Sequence, residues 1–98
     1  MEGVKMFKVN EYFDGKVKSI AFKRADAPAT VGVMAPGEYT FGTSTIEHMT
    51  LISGRIQVRL PGDKHFVKIG VNETFVVAAN VKFDVKVEEE SAYLCLYK

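Results

Sequence analysis

From Val17 to Tyr97 the chain alternates apolar and polar residues at a period of two, in runs interrupted by Gly, Pro, Asn and Asp. No segment carries the 3.6-residue period of an amphipathic helix. Short strands of this kind bury their apolar faces in a two-layer sandwich or a closed barrel, so the pattern predicts an all-β fold with no helix longer than one turn. The clearest strand is Val81–Val87, with Val81, Phe83, Val85 and Val87 inward and Lys82, Asp84 and Lys86 outward. Arg55–Leu60 likewise turns Ile56, Val58 and Leu60 inward. Glu47–Ile52 places Glu47, Met49 and Leu51 on one face, and Glu38–Thr43 groups Tyr39, Phe41 and Thr43. Val17–Lys23, Thr30–Met34, His65–Ile69 and Glu73–Val77 complete the set with Ser91–Tyr97. That last strand is apolar on both faces, which makes it central or part of an interface. The segments Ala35-Pro36-Gly37, Ser53-Gly54, Pro61-Gly62-Asp63 and Glu88-Glu89-Glu90 read as turns.

Ninety-eight residues form one domain,. Residues 1–8 are expected to be a flexible or loosely attached N-terminal extension. A chain this short buries only ~60–65% of its unfolded surface, so a homodimer is expected. The formal charge is +1, with both signs interspersed, which argues against a nucleic-acid partner. There is no apolar run of the length a membrane span needs and no signal peptide is expected. The single cysteine, Cys95, excludes an internal disulfide and reads as a small buried hydrophobe; a reducing cytoplasm fits,.

The stretch Gly37–Gly54 concentrates the chemistry-bearing side chains. A metal is not expected there. The chain has two histidines. His48 adjoins Glu47, so on a strand the two point to opposite faces and share no ligand sphere. His65 follows the Pro61-Gly62-Asp63 turn. No serine or cysteine sits in a nucleophile elbow or triad, and without a helix there is no phosphate loop. What remains is a pocket wall of carboxylates, hydroxyls and aromatics suited to a polar, ring-containing small molecule. Lys18 shares a face with Ile20 and Phe22. Either that face is the inner one, with the ammonium at the barrel mouth, or Lys18 snorkels to solvent. For Tyr39, Phe41, Tyr93 and Tyr97, core packing is the plainer reading of the pattern, and for Glu47 it is a solvated carboxylate at a strand start.

The segments NEYFDGKVKSIAF (Asn10–Phe22), VGVMAPGEYTFGTSTIEHMTLISG (Val31–Gly54), FVVAANVKFDVKV (Phe75–Val87) and YLCLY (Tyr93–Tyr97) resemble the pyrimidine/purine nucleoside phosphorylase family of small cupins. The likeness covers most of the chain. It implies a single-domain cupin-type β-barrel or jelly roll, with Thr43 and Thr45 at the offset where a metal-binding cupin has His-x-His. It also implies phosphorolysis of purine and pyrimidine nucleosides to free base and ribose 1-phosphate, with inorganic phosphate as co-substrate and no other cofactor. The chain departs from the family pattern at Asn72, where a glycine is expected, at Ala78, where a proline is usual, and at His48, where an acidic residue often sits.

Phosphorolysis needs a group that stabilises a cationic sugar, donors for phosphate and a platform for the base. Glu47 is the first candidate for the carboxylate and Glu38 the second, only one of them pointing inward. Lys18, with Ser19 or Thr43, is the candidate set for phosphate. Tyr39, Phe41 or Met49 would hold the base, and Tyr93 or Tyr97 would donate a hydrogen bond. A metal-free binding module without turnover and a metal-dependent cupin enzyme are the competing readings.

Overall fold

A computed structural model describes residues 7–98. Eight strands follow in chain order: β1 (Val9–Tyr12), β2 (Val17–Lys23), β3 (Pro28–Met34), β4 (Gly37–Gly42), β5 (Glu47–Arg59), β6 (Val67–Ile69), β7 (Thr74–Val77) and β8 (Lys82–Tyr97). All pairings are antiparallel. No helix occurs among the described residues. Of the expected N-terminal extension, residues 1–6 lie outside the described residues. Lys8 is tied to the sheet by its carbonyl, which accepts a hydrogen bond from the Ala21 amide at 2.8 Å.

Two long strands carry the architecture. β8 pairs with β5 along most of its length. On its other edge it pairs with β4 through Lys82–Val87 and with β3 through Ser91–Leu96. β5 in turn pairs with β7 through Glu47–Thr50 and with β6 through Ile56–Val58. Each long strand therefore serves two layers, β1-β2-β3-β8-β5-β7 and β4-β8-β5-β6. Sequence punctuation divides β5 and β8 into four strands, and here the expectation is corrected. Ser53-Gly54 is no turn. The register with β8 shifts between Leu51 and Ile56, and the strand bends without ending. Glu88-Glu89-Glu90 is likewise strand, exposed on the facing bend of β8. A bulge strengthens local twist and lets one strand turn a barrel corner.

The bend is pinned from both sides. Gly54 has φ +105, the left-handed region that favours glycine,. The buried Ser91 hydroxyl accepts from the Arg55 amide at 3.1 Å and donates to the Glu89 carbonyl at 2.7 Å. Behind the bend, Val17, Met34, Met49, Leu51, Ile56, Val58, Val77, Phe83, Val85 and Val87 form one core. The inward faces expected for Val81–Val87, Arg55–Leu60 and Glu47–Ile52 are the observed ones. The doubly apolar Ser91–Tyr97 segment is central, flanked by β3 and β5.

The open question on β2 resolves against Lys18. Val17 and Ser19 are buried, whereas Lys18 and Ile20 are exposed. The outer face of β2 is nearly as apolar as its inner one because Ile20 pairs with Val31 and Lys18 with Val33, both on the same outer face.

Candidate active site

One end of the barrel opens into a cavity of about 220 Å³, lined by Tyr12, Phe13, Ser19, Met34, Thr40, Phe41, Gly42, Glu47, Met49, Phe83, Tyr93, Cys95 and Tyr97. Its floor follows from register. Ser19 pairs with Gly32, Gly32 with Tyr93, and Tyr93 with Leu51, so these four residues cross the sheet in one row on the inner face. Gly32 makes room for the Tyr93 ring: a Cβ there would stand 2.5 Å from the Tyr93 hydroxyl oxygen. The next rows bring Thr30 and Met49 beside Cys95, and Glu47 beside Tyr97.

Glu47 is the carboxylate in this cavity. It is half-buried, and the Cys95 thiol donates to its Oε1 at 3.5 Å. Burial raises its pKa above the ordinary 4.5, offset in part by the Cys95 hydrogen bond,. Burial also pushes the Tyr93 hydroxyl up to about 12 and the Cys95 thiol up to about 12. The Tyr97 hydroxyl is raised by burial as well, and it shares a 3.0 Å hydrogen bond with Thr30 Oγ1. At neutral pH these three groups keep their protons, so they serve as hydrogen-bonding groups and not as nucleophiles. The Ser19 hydroxyl accepts from Asn10 Nδ2 at 3.4 Å. The result is a single ionisable carboxylate among neutral hydroxyls, in a cavity from which water is partly excluded.

The candidates read from sequence divide. Ser19, Phe41, Glu47, Met49, Tyr93 and Tyr97 come together around the cavity. Glu38, Lys18, Tyr39 and Thr43 do not line it. Glu38 is exposed on the edge strand β4, opposite Lys86. Lys18 lies on the outer face, 3.9 Å from Glu11 Oε1. Tyr39 is a scaffold residue whose hydroxyl donates to the Ala35 carbonyl at 2.6 Å, holding the β3–β4 turn. Thr43 locks the end of β4 to the β7–β8 turn: its hydroxyl donates to the Ala78 carbonyl at 2.6 Å and accepts from the Val81 amide at 3.1 Å. No Lys or Arg lines the cavity among the described residues.

Tyr12 and Phe13 are the lining residues that the strand pattern overlooks. They sit at the β1–β2 turn, where Asp14-Gly15 between NEY and VKSIAF is a hairpin signal. Asn72 has φ 71, a left-handed conformation that asparagine tolerates, so it replaces the expected glycine without changing the turn,. Among the described residues no group of three His, Cys, Asp or Glu side chains is placed to hold a metal. His48 faces outward, its Nε2 lying 3.3 Å from the Lys98 carbonyl.

A bent two-layer antiparallel barrel with a cavity among its strands is the cupin architecture. The fold superposes on the cupin domain of Schizosaccharomyces pombe Cnp3 with a TM-score of 0.66 at 17% identity, over 93% of this chain and 69% of that one. It superposes more closely, at a TM-score of 0.91 and 40% identity, on a protein of unknown function from Vibrio parahaemolyticus, over 96% of this chain and all (100%) of the other.

The pyrimidine/purine nucleoside phosphorylase family model matches residues 7–97, and the chain belongs to that family. A pyrimidine/purine nucleoside phosphorylase of Alcanivorax borkumensis is 58% identical over 92 residues, 94% of this chain and 98% of the relative. One from Pseudomonas putida is 56% identical over 93 residues, 95% of this chain and 99% of the relative.

Proposed function

We propose that this protein is a pentosyltransferase that cleaves purine and pyrimidine nucleosides with phosphate, without a metal, at the cavity around Glu47. The observation that carries the reading is the lone half-buried carboxylate, set among neutral hydroxyls in a chain so close to named nucleoside phosphorylases. A phosphate oxygen attacks C1′ of the ribose as the bond from C1′ to the base nitrogen breaks. The electron pair leaves with the base, which takes up the proton that hydrogen phosphate gives up. The products are free base and ribose 1-phosphate.

Positive charge develops on the sugar as the base departs. Glu47 faces that charge from a site of low effective dielectric, where attraction is stronger than in water. Ser19, Tyr93 and Tyr97 supply hydroxyl donors for phosphate and ribose. With Lys18 turned outward, phosphate is held by neutral donors next to a carboxylate, so its binding is weak. The donor set supports chemistry without a metal, since Thr43 stands where a cupin ligand would and is committed to the Ala78 carbonyl.

Purified protein is expected to release hypoxanthine from inosine and uracil from uridine only when phosphate is present. Nucleoside binding without release would mark a binding module instead. The single, buried Cys95 thiol fits the cytoplasmic location we propose,.

We also read the protein as a homodimer through the outer face of β2 and β3, where Ile20, Val31 and Val33 are 47%, 41% and 57% exposed,. Val33→Glu is expected to halve the mass measured by light scattering while the circular dichroism stays that of the barrel. A wild-type protein already monomeric at assay concentration would refute the dimer.

A further inference from the structure

The cavity is asymmetric. Its interior end is buried and polar, with Ser19, Tyr93 and Cys95 all nearly inaccessible. Its mouth is aromatic, formed by Tyr12 and Phe13 of the β1–β2 turn and by Phe41. A volume of about 220 Å³ is small beside the ~300–1,000 Å³ of pockets that enclose a drug-sized ligand. A nucleoside with its ribose among the polar groups therefore has its base at the mouth.

Phe13 is held there against local preference. Phe13, Asp14 and Gly15 have φ of 53, 56 and 85 in succession. Bulky residues seldom adopt this region, and where they do the cause is a constraint from outside the backbone. The turn is closed by hydrogen bonds from the Gly15 amide to the Tyr12 carbonyl and from the Lys16 amide to the Phe13 carbonyl, both 3.1 Å. The ring rests on Tyr39 at 4.9 Å between centroids and meets Phe41 edge-on at 5.6 Å. It nevertheless stays 43% exposed. Beside Phe41, Gly42 leaves open space, since a Cβ there would meet nothing within 4 Å.

We propose that Phe13, fixed by the left-handed β1–β2 turn over the cavity mouth, is the platform on which the base of the nucleoside stacks. The inference rests on the phosphorylase reading and assigns its base subsite to a turn instead of to the strand residues Tyr39 and Met49. Every base has a π-face, so stacking accepts purines and pyrimidines alike, whereas edge recognition would select one class.

The test is steady-state kinetics on the full chain with inosine and with uridine, joined to equilibrium binding of the same nucleosides. Phe13→Ala is expected to raise KM and Kd for both nucleosides by ~5–150-fold, the range for losing one base–aromatic stack, with KM for phosphate unchanged. Phe13→Trp restores nucleoside affinity. Phe13→Asn, which suits the left-handed backbone, keeps the wild-type Tm and still loses affinity, separating a platform from a packing residue. Gly42→Leu fills the open space and weakens both nucleosides in a folded protein. Unchanged nucleoside KM and Kd in Phe13→Ala would overturn the platform. If wild-type protein binds nucleosides without turnover, the phosphorylase reading fails and Phe13 is judged on Kd alone. If it neither binds nor turns them over, both fail.

Discussion

Replacing Glu47 by Gln is expected to lower kcat/KM for nucleoside phosphorolysis by ~10²–10³-fold, the usual effect of removing one preorganised electrostatic group, while the thermal transition stays near that of the wild type. The amide has the shape of the carboxylate and can still accept from the Cys95 thiol, 3.5 Å from Oε1 in the wild type. What is lost is the charge facing the sugar. The same residue sets the acid side of the pH profile. Burial raises the Glu47 pKa above 4.5, so the acid limb of kcat/KM falls above that value and disappears in Glu47→Gln. Stability moves the opposite way. Because the folded pKa exceeds the unfolded one, the contribution is fully present below the unfolded pKa and is lost as pH rises through the folded pKa. Activity is thus gained over the window in which Glu47 makes the barrel less stable, as expected for a functional carboxylate held in a partly buried site. Wild-type turnover in Glu47→Gln would remove it from the chemistry.

Gly54→Ala should be the most damaging single-methyl change in the described chain. A Cβ at Gly54 would lie 2.1 Å from Ser91 Oγ, 2.7 Å from the Glu90 carbonyl oxygen and 2.7 Å from Ser91 Cα. The last two are backbone atoms and have no rotamer to escape into. The φ of +105 is itself unfavourable for alanine,. Backbone strain of ~1–3 kcal/mol adds to overpacking of ~1–3 kcal/mol. At ~4–8 °C per kcal/mol for a domain of this size, a loss of ~2–6 kcal/mol lowers Tm by at least ~8 °C. A melt within a few degrees of the wild type would show that the bend between β5 and β8 is not locked as described. Gly62→Ala is the useful contrast. Gly62 also has a left-handed φ, of 89, but a Cβ there would meet nothing within 4 Å, so only the backbone component applies.

These two residues also show what the sequence could and could not disclose. Period-two patterning located the inner faces of most strands. It put Glu47 on the face of Met49 and Leu51 and Glu38 on a different phase, while leaving a solvated carboxylate at the strand start as the plainer reading of Glu47. It divided β5 and β8 at Ser53-Gly54 and at Glu88–Glu90 because a bulge at a barrel corner uses the residues a turn uses: a glycine, a small polar residue and exposed charges. Patterning was silent on β2, where Ile20 and Phe22 give the outer face as much apolar character as Val17 and Ala21 give the inner one. Lys18 therefore looked available to phosphate when it is turned away. Thr43 and Tyr39 carry the right groups for a site, yet each hydroxyl is already committed to a main-chain carbonyl. Such commitments depend on contacts between distant or turn-linked segments and leave no local signature. Phe13 was hidden for a related reason. Its position comes from a left-handed turn, not from strand alternation.

The most direct test follows phosphorus through the reaction. Wild-type protein incubated with inosine and inorganic phosphate should show, by ³¹P NMR, ribose 1-phosphate accumulating in step with hypoxanthine, with Glu47→Gln silent under the same conditions. Hypoxanthine appearing with free ribose and an unchanged phosphate signal would mean hydrolysis, and would contradict a phosphorylase built around Glu47.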